Sequence, residues 1–342
     1  MMQTRSSPFG ISVGLPWLLF VILMVVPFLA HATEQTFYET LIARVIIYAI
    51  AATALNLALG YGGLVSFGHA LFFGLGGYSV ALPAFYGIDN GWIHLLICIL
   101  GCGLAGVVTG AISLRTVGVS FIMITLAFAQ MGYFVFVSLK QYGGDDGTTI
   151  SATSKFFGFD LGHPDNVYAC SLVVLALATY WMVRLRVSPF GMVLRATRQN
   201  ARRVNAVGLP GKAYLLCAYV ISAILSGVAG LLMANLNAFA SPASMSWVVS
   251  GDTIAMVVLG GLGSAYGGML GAIAFLGMEE LLKGFTDHWM AVFGPAIVLM
   301  ALLGKTGIAG FLEGFDARFS RKQTPRQTPP ESVEPAKIGE GS

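Results

Sequence analysis

Apolar stretches long enough to cross a bilayer recur along nearly the whole chain, and few folds can accommodate them. Val13–Ala30, Leu41–Leu59, Trp92–Ile112, Val117–Leu139 and Val167–Val183 each approach or reach the length at which a helix spans a hydrocarbon core of about 30 Å. Further runs occupy Ala213–Ala234, Val248–Leu276 and Ala291–Leu303. Charged residues are 10% of the chain, against about 25% in soluble domains, and mean hydropathy is +0.78. No soluble core covers that much apolar surface. The runs do not alternate with period two, which excludes an outer-membrane barrel. The 43 glycines point to helices packed closely backbone to backbone. Cys98, Cys102, Cys170 and Cys217 fall inside apolar runs without C-x-x-C spacing and read as small apolar residues.

Charge fixes the orientation. Arg184, Arg186, Arg195, Arg198, Arg202, Arg203 and Lys212 crowd one strip with no acidic residue, and the positive-inside rule assigns it to the cytoplasm. Counting back puts Asp145, Asp146, Asp160 and Asp165 outside, Arg115 inside, Asp89 outside and the Gly60–Gly63 turn inside. Lys140, Lys155 and Arg44 fit this pattern least well. Counting forward, a single crossing over Val248–Leu276 would strand the basic tail outside. Two short segments, near Val249–Leu259 and Ala265–Leu282 and joined at Gly263-Ser264, return it to the cytoplasm. The expected fold is therefore all-α, a polytopic membrane bundle of about ten segments, some short or broken, with both termini cytoplasmic. Residues 1–12 form the expected N-terminal tail, 13–310 the membrane domain with a cytoplasmic loop at 184–212, and 311–342 a polar, proline-rich tail too poor in apolar residues to fold. The Ala30-His31-Ala32 triplet after the first run imitates a signal-peptide cleavage site, but that run is long for one, so a retained first helix is expected.

Polar groups inside apolar runs are costly and mark candidate sites. Asn56, Ser66 and His69 sit in a glycine-rich interruption at residues 54–81, either lining a route or joining helices by hydrogen bonds. Gln130 and Thr125 are five apart, about 140° around a helix, so they make no single stripe, and Gln130 is the better lining candidate. Asp252 opens the broken segment that contains Gly260, Gly261 and Gly263, where it either caps a helix or serves the passage. Asp145 and Asp146 read as a solvated outer loop, short of the ligands a calcium loop needs. Glu279 and Lys283 have the i,i+4 spacing of a weak ion pair. The strip from Pro189 to Leu209 reads as a short amphipathic helix over Met192–Val207, stopped by Gly208 and suited to anionic lipid or to a protein partner.

The chain has no GxxxxGK[ST] loop, no H-E-x-x-H and no G-x-S-x-G, and sequence spacing shows no acidic pair in the membrane. A channel or transporter subunit is left, with any energy brought by another chain. A passive channel or facilitator for a small polar solute such as urea is the alternative.

Three blocks narrow this further. LNLALGYGGLVSFGHALFFGLGGYSVAL (55–82), LRATRQNARRVNAVGLPGKAYLLCAYVISAILSGVAGLL (194–232) and VVLGGLGSAYGGMLGAIAFLGMEELL (257–282) resemble the LivM-type permeases of the branched-chain amino acid ABC importers, a family with urea permeases among its relatives. The resemblance implies a non-catalytic subunit of a bacterial inner membrane, paired with a second, LivH-like permease, two ATPase subunits and a periplasmic substrate-binding protein. ATP and Mg²⁺ then belong to the partners, this chain needs no cofactor or metal, and nucleic acid is not a partner. The helix before Gly208 resembles the family's coupling loop, which makes Arg195, Arg198, Arg202 and Arg203 the expected coupling residues. Relatives commonly carry acidic residues where this chain has Gln199, Ala201 and Asn205, so a more acidic ATPase groove is expected.

Overall fold

The computed structural model describes residues 19–24, 36–285, 288–303 and 307–311. The expected N-terminal tail, most of the first apolar run, the Ala30–Ala32 triplet and the tail beyond residue 311 lie outside the described residues.

Helix α1 (Thr36–Asn56) passes into a π-helical turn at Leu57–Tyr61. It is apolar on all sides and occupies the centre, with Ala43, Ile46, Ile47, Ile50 and Leu55 fully buried. A non-helical stretch, 62–68, leads into α2 (His69–Phe85). Helices α3 (Gly91–Ser113) and α4 (Val119–Ser138) lie at the periphery, exposing Leu96, Leu100 and Leu104 on one and Met123, Met131 and Phe134 on the other. Asn90 caps α3 by accepting from the Trp92 N–H at 3.0 Å. Helix α5 (Pro164–Val187) starts on a proline, α6 (Pro189–Ala206) follows almost at once, and α7 (Gly211–Asn237) returns through the bundle.

The apolar stretch after Ser246 divides at residues 261–266 into α8 (Trp247–Gly260) and α9 (Gly267–Phe285), as its glycines predict, and α10 (Trp289–Leu303) follows. Gly261 and Gly263 turn the chain there with φ of +116° and +77°. Asp252 is not the cap. Helix α8 begins five residues earlier, with Ser246 at the cap position, so Asp252 lies in the second turn.

Among the described residues, five helices are long and apolar enough to cross a membrane: α1 with its π turn (Glu39–Tyr61), α3, α4, α5 and α7. Three shorter apolar helices accompany them, α2, α8 and Met290–Leu299 within α10. The chain is thus a polytopic, largely α-helical membrane bundle. Helix α2 is the crossing that the charge pattern requires between the Gly60–Gly63 turn and Asp89, although the stretch reads locally as a glycine-rich interruption.

Helices α2 and α7 approach until only glycine fits between them. A Cβ on Gly76 would lie 1.8 Å from the Gly227 carbonyl oxygen, and one on Gly230 would lie 1.8 Å from that of Phe73. Small residues take the place in lipid that hydrophobic exclusion has in water, since lipid gives no such drive.

At the end opposite α6, two short antiparallel pairs join the loops. Strand β1 (Thr148–Thr149) pairs with β4 (Phe239–Ala240), and β2 (Lys155–Phe156) pairs with β3 (Phe159–Asp160). Lys155 Nζ lies 2.8 Å from Asp89 Oδ2. Its hydrogen bond, then its charge, hold the Asp89 carboxyl below the ordinary carboxylate range.

Candidate translocation and coupling surfaces

The non-helical stretch 62–68 runs inside the bundle, where each backbone polar group needs a partner. Three helices supply them. Phe67 N–H donates to Thr125 of α4 at 3.2 Å, and Ser250 of α8 donates to the Phe67 carbonyl at 2.8 Å while accepting from Ala70 N–H at 2.9 Å. From α7, Ser226 donates to the His69 carbonyl at 3.3 Å. Thr125 thus faces inward, on a different side of α4 from Gln130.

His69 and Ser66 are buried in this packing. Ser222 donates to the Ala54 carbonyl at 2.5 Å, so its oxygen accepts from His69 Nε2, 2.8 Å away. The imidazole therefore carries a proton on Nε2. Edge contacts to Phe72 and Tyr219, at 5.6 and 5.5 Å between ring centres, complete its surroundings. Ser66 lies 3.5 Å from the Tyr219 hydroxyl and accepts from Gly68 N–H at 3.2 Å. His69 thus joins α2 to α7, and Ser66 joins the stretch 62–68 to α7.

Gln130 stands apart from them. It is half-buried on the outer side of α4, in an open groove of about 710 Å³ that Ala127, Met131, Phe134 and Ser138 also line. A primary amide on an otherwise apolar, outward helix face is costly against lipid alone.

At the α6 end, Asn56 clasps the α8–α9 turn. Its Nδ2 donates to the Ser264 carbonyl at 2.7 Å and its Oδ1 accepts from Gly263 N–H at 3.0 Å. Gly60 packs against the same turn, and a Cβ there would lie 2.5 Å from Gly263 N. Gly260 and Gly261 are buried beside it.

Helix α6 is held at both ends. Ser188 accepts from Gly191 N–H at 3.1 Å, and Gly208, at φ +87°, ends the helix in a conformation that favours glycine. It is not one straight rod. Asn200 has φ −157° and ψ 92°, and its side chain accepts from Arg203 N–H at 3.1 Å, so it caps a second short piece. Arg198 and Arg202 therefore do not share one face of an unbroken helix. Arg198, Arg202 and Arg203 are all exposed, but Arg198 Nη1 reaches back and donates to the Gly60 carbonyl, while Arg195 donates to the Arg186 carbonyl at 2.7 Å. The Arg198 contact is one that sequence spacing did not reveal, because 138 positions separate its partners.

Asp252 is half-buried and lies within electrostatic reach of Glu279 and of the Tyr48 hydroxyl. Glu279, on α9, pairs with Lys283 at 2.6 Å, the i,i+4 contact that their spacing predicts. Among the described residues, no group of three or more His, Cys, Asp or Glu side chains is placed to hold a metal ion.

A closely packed, multi-span α-helical bundle whose polar groups mostly join its helices defines the class as an integral membrane protein. Residues 37–303 match the family described as branched-chain amino acid transport system / permease component, and the chain belongs to that family. It is a multi-pass, non-catalytic permease component of a branched-chain amino acid importer system. The chain is 30% identical over 287 residues to the high-affinity branched-chain amino acid transport system permease protein LivM of Escherichia coli K12, covering 77% of this chain and 67% of that one. It is also 26% identical over 293 residues to the LivH permease of the same strain, covering 77% and 91%. A probable LivM permease of Methanocaldococcus jannaschii is 25% identical, covering 69% and 78%. No solved structure matches.

Proposed function

We propose that the chain forms one half of the substrate path of an ATP-driven importer and receives an ATPase subunit on α6. The observation that carries this is α6 itself: a basic helix outside the long apolar spans, pinned at both ends, with Arg202 and Arg203 pointing away from the bundle. A helix that merely touched lipid would need no such pinning.

In this reading the α6 end faces the cytoplasm, both termini lie on that side, and the chain crosses about ten times. The other half of the path is a LivH-like permease, in keeping with the likeness of this chain to both kinds of relative. Two ATPase subunits hold the ATP and Mg²⁺, and a periplasmic protein delivers a branched-chain amino acid. Gln130 meets the route on the outer face of α4, while Ser66, His69 and Asn56 border it by keeping α1, α2, α7 and the α8–α9 turn in register. ATP-driven closure of the ATPases and docking of the loaded binding protein favour the same permease conformation from opposite sides.

Replacing Arg202 and Arg203 together with Glu reverses the charge offered to the ATPase groove, and like-charge contacts cost several kcal/mol. The variant is expected to insert normally and to lose ATPase on co-purification. Full recovery of ATPase with normal stimulated hydrolysis would overturn the docking assignment.

A further inference from the structure

We infer that Arg198 is the positioning residue that ties the ATPase-docking helix to the π-helical turn of α1 and the α8–α9 turn, so that the arginines of α6 do two separate jobs. This rests on α6 being the docking element and names how its motion is passed on.

The turn at Asn200 divides α6 immediately after Arg198. The outer piece carries the exposed Arg202 and Arg203. The inner piece is fastened inward, because Arg198 donates to the carbonyl of Gly60 in the π-helical turn that ends α1. The arginine stem lies across Gly63: a Cβ there would be 2.8 Å from Arg198 Cγ, and Gly63 itself has φ +72°. π-Helical turns are sparse and concentrate where a helix must yield.

Gly60 passes the connection on. A Cβ on it would meet Asn56 Oδ1 at 2.1 Å and Gly263 N at 2.5 Å, so the two backbones touch with the Asn56 amide wedged beside them. Asn56 is bonded to both Gly263 and Ser264. The turn it holds begins at the end of α8, and Ser250 near the start of α8 holds the first turn of α2. An unbroken series of contacts therefore runs from α6 through Arg198, Gly60, Asn56 and the α8–α9 turn to the place where α2 begins. Apart from the body of α8, each link is a hydrogen bond or a close glycine contact, so a shift of the inner piece of α6 is passed to the α8–α9 turn.

The test uses the complete complex of both permeases, ATPases and binding protein. Arg198→Met keeps a stem of similar reach across Gly63 and removes the donor, whereas Arg198→Lys keeps a donor. Per assembled complex, Arg198→Met is expected to retain ATPase and unstimulated hydrolysis, while stimulation by the loaded binding protein and uptake fall about tenfold, the scale of one charge-assisted hydrogen bond. Arg198→Lys is expected to recover much of both. A merely structural role would lower the yield of complex and leave each complex coupled, so wild-type stimulation per complex in Arg198→Met would overturn the inference. A second measurement needs no variant at Arg198. Spin labels at the exposed Met192, on the inner piece of α6, and Leu262 are expected to keep their separation between nucleotide-free and ATP-bound complexes, and a change beyond the about 2 Å of ordinary helix shifts would refute the tie. Failure of the underlying docking assignment is read separately, as undiminished ATPase recovery with the Arg202 and Arg203 double variant.

Discussion

Gly76→Ala adds one methyl group at the closest approach of α2 and α7, and its effect follows from distances. The new Cβ would lie 1.8 Å from the Gly227 carbonyl oxygen, 2.6 Å from its carbon and 2.9 Å from its Cα. Unstrained C···O contacts settle near about 3.3 Å, so the helices must part by roughly 1.5 Å. No rotamer change relieves this, because the obstacle is backbone. Parting is not local either, since Gly230 rests on the Phe73 carbonyl from the opposite side of the same crossing. Overpacking costs about 1–3 kcal/mol and more where backbone must move, while Ala in place of Gly returns about 1 kcal/mol of helix propensity. A net loss of about 2 kcal/mol or more is expected, read as a fall in melting temperature of the purified protein in detergent. Gly101→Ala is the control, since a Cβ on the exposed side of α3 meets nothing within 4 Å. It is expected to leave stability unchanged or slightly higher. Equal melting of the two variants would refute the claim that these glycines set the helix spacing.

Ser222→Ala removes the hydroxyl that joins His69 to the Ala54 carbonyl, and interhelical hydrogen bonds in membranes are worth about 0.6–2 kcal/mol. Abundance and uptake should fall in the same proportion; uptake falling alone would give these groups a direct part in conduction. Gln130→Leu makes the α4 face wholly apolar, and normal abundance with reduced uptake is expected. Unchanged uptake per molecule would make that face an ordinary lipid contact. Single cysteines at Asp146 and Gln323, in a cysteine-free background, should label from the outside and from the cytoplasm respectively, and outside labelling at Gln323 would contradict the assignment of both termini to the cytoplasm.

The long helices were legible because their signal is local. Runs such as Trp92–Ile112 and Ala213–Ala234 announce α3 and α7, and five glycines between Gly260 and Gly268 announce the break before α9. Helix α2 was legible from the charge count rather than from a clean apolar run, because the polar groups before and at its start, Ser66 and His69, find their partners 153 positions away on α7. The same reason hid the roles of the arginines. Arg198, Arg202 and Arg203 carry the same charge and are all exposed, and only the fold shows that Arg198 reaches back to the Gly60 carbonyl. The break in α6 did have a sequence signal, an asparagine three residues before Arg203 in the pattern of an N-cap, masked by the surrounding helical periodicity. Asp252 misled in the opposite direction, since the Ser-Gly-Asp sequence imitates a cap that the structure sets at Ser246.

Coupled transport is tested most directly in proteoliposomes containing this chain, its LivH-like partner and the two ATPases, with labelled leucine and the binding protein on the outer face. Uphill accumulation that requires both the binding protein and hydrolysable ATP at the α6 side is the expected result. Leucine that merely equilibrates, at a rate indifferent to ATP and to the binding protein, would contradict it and make the chain a passive channel.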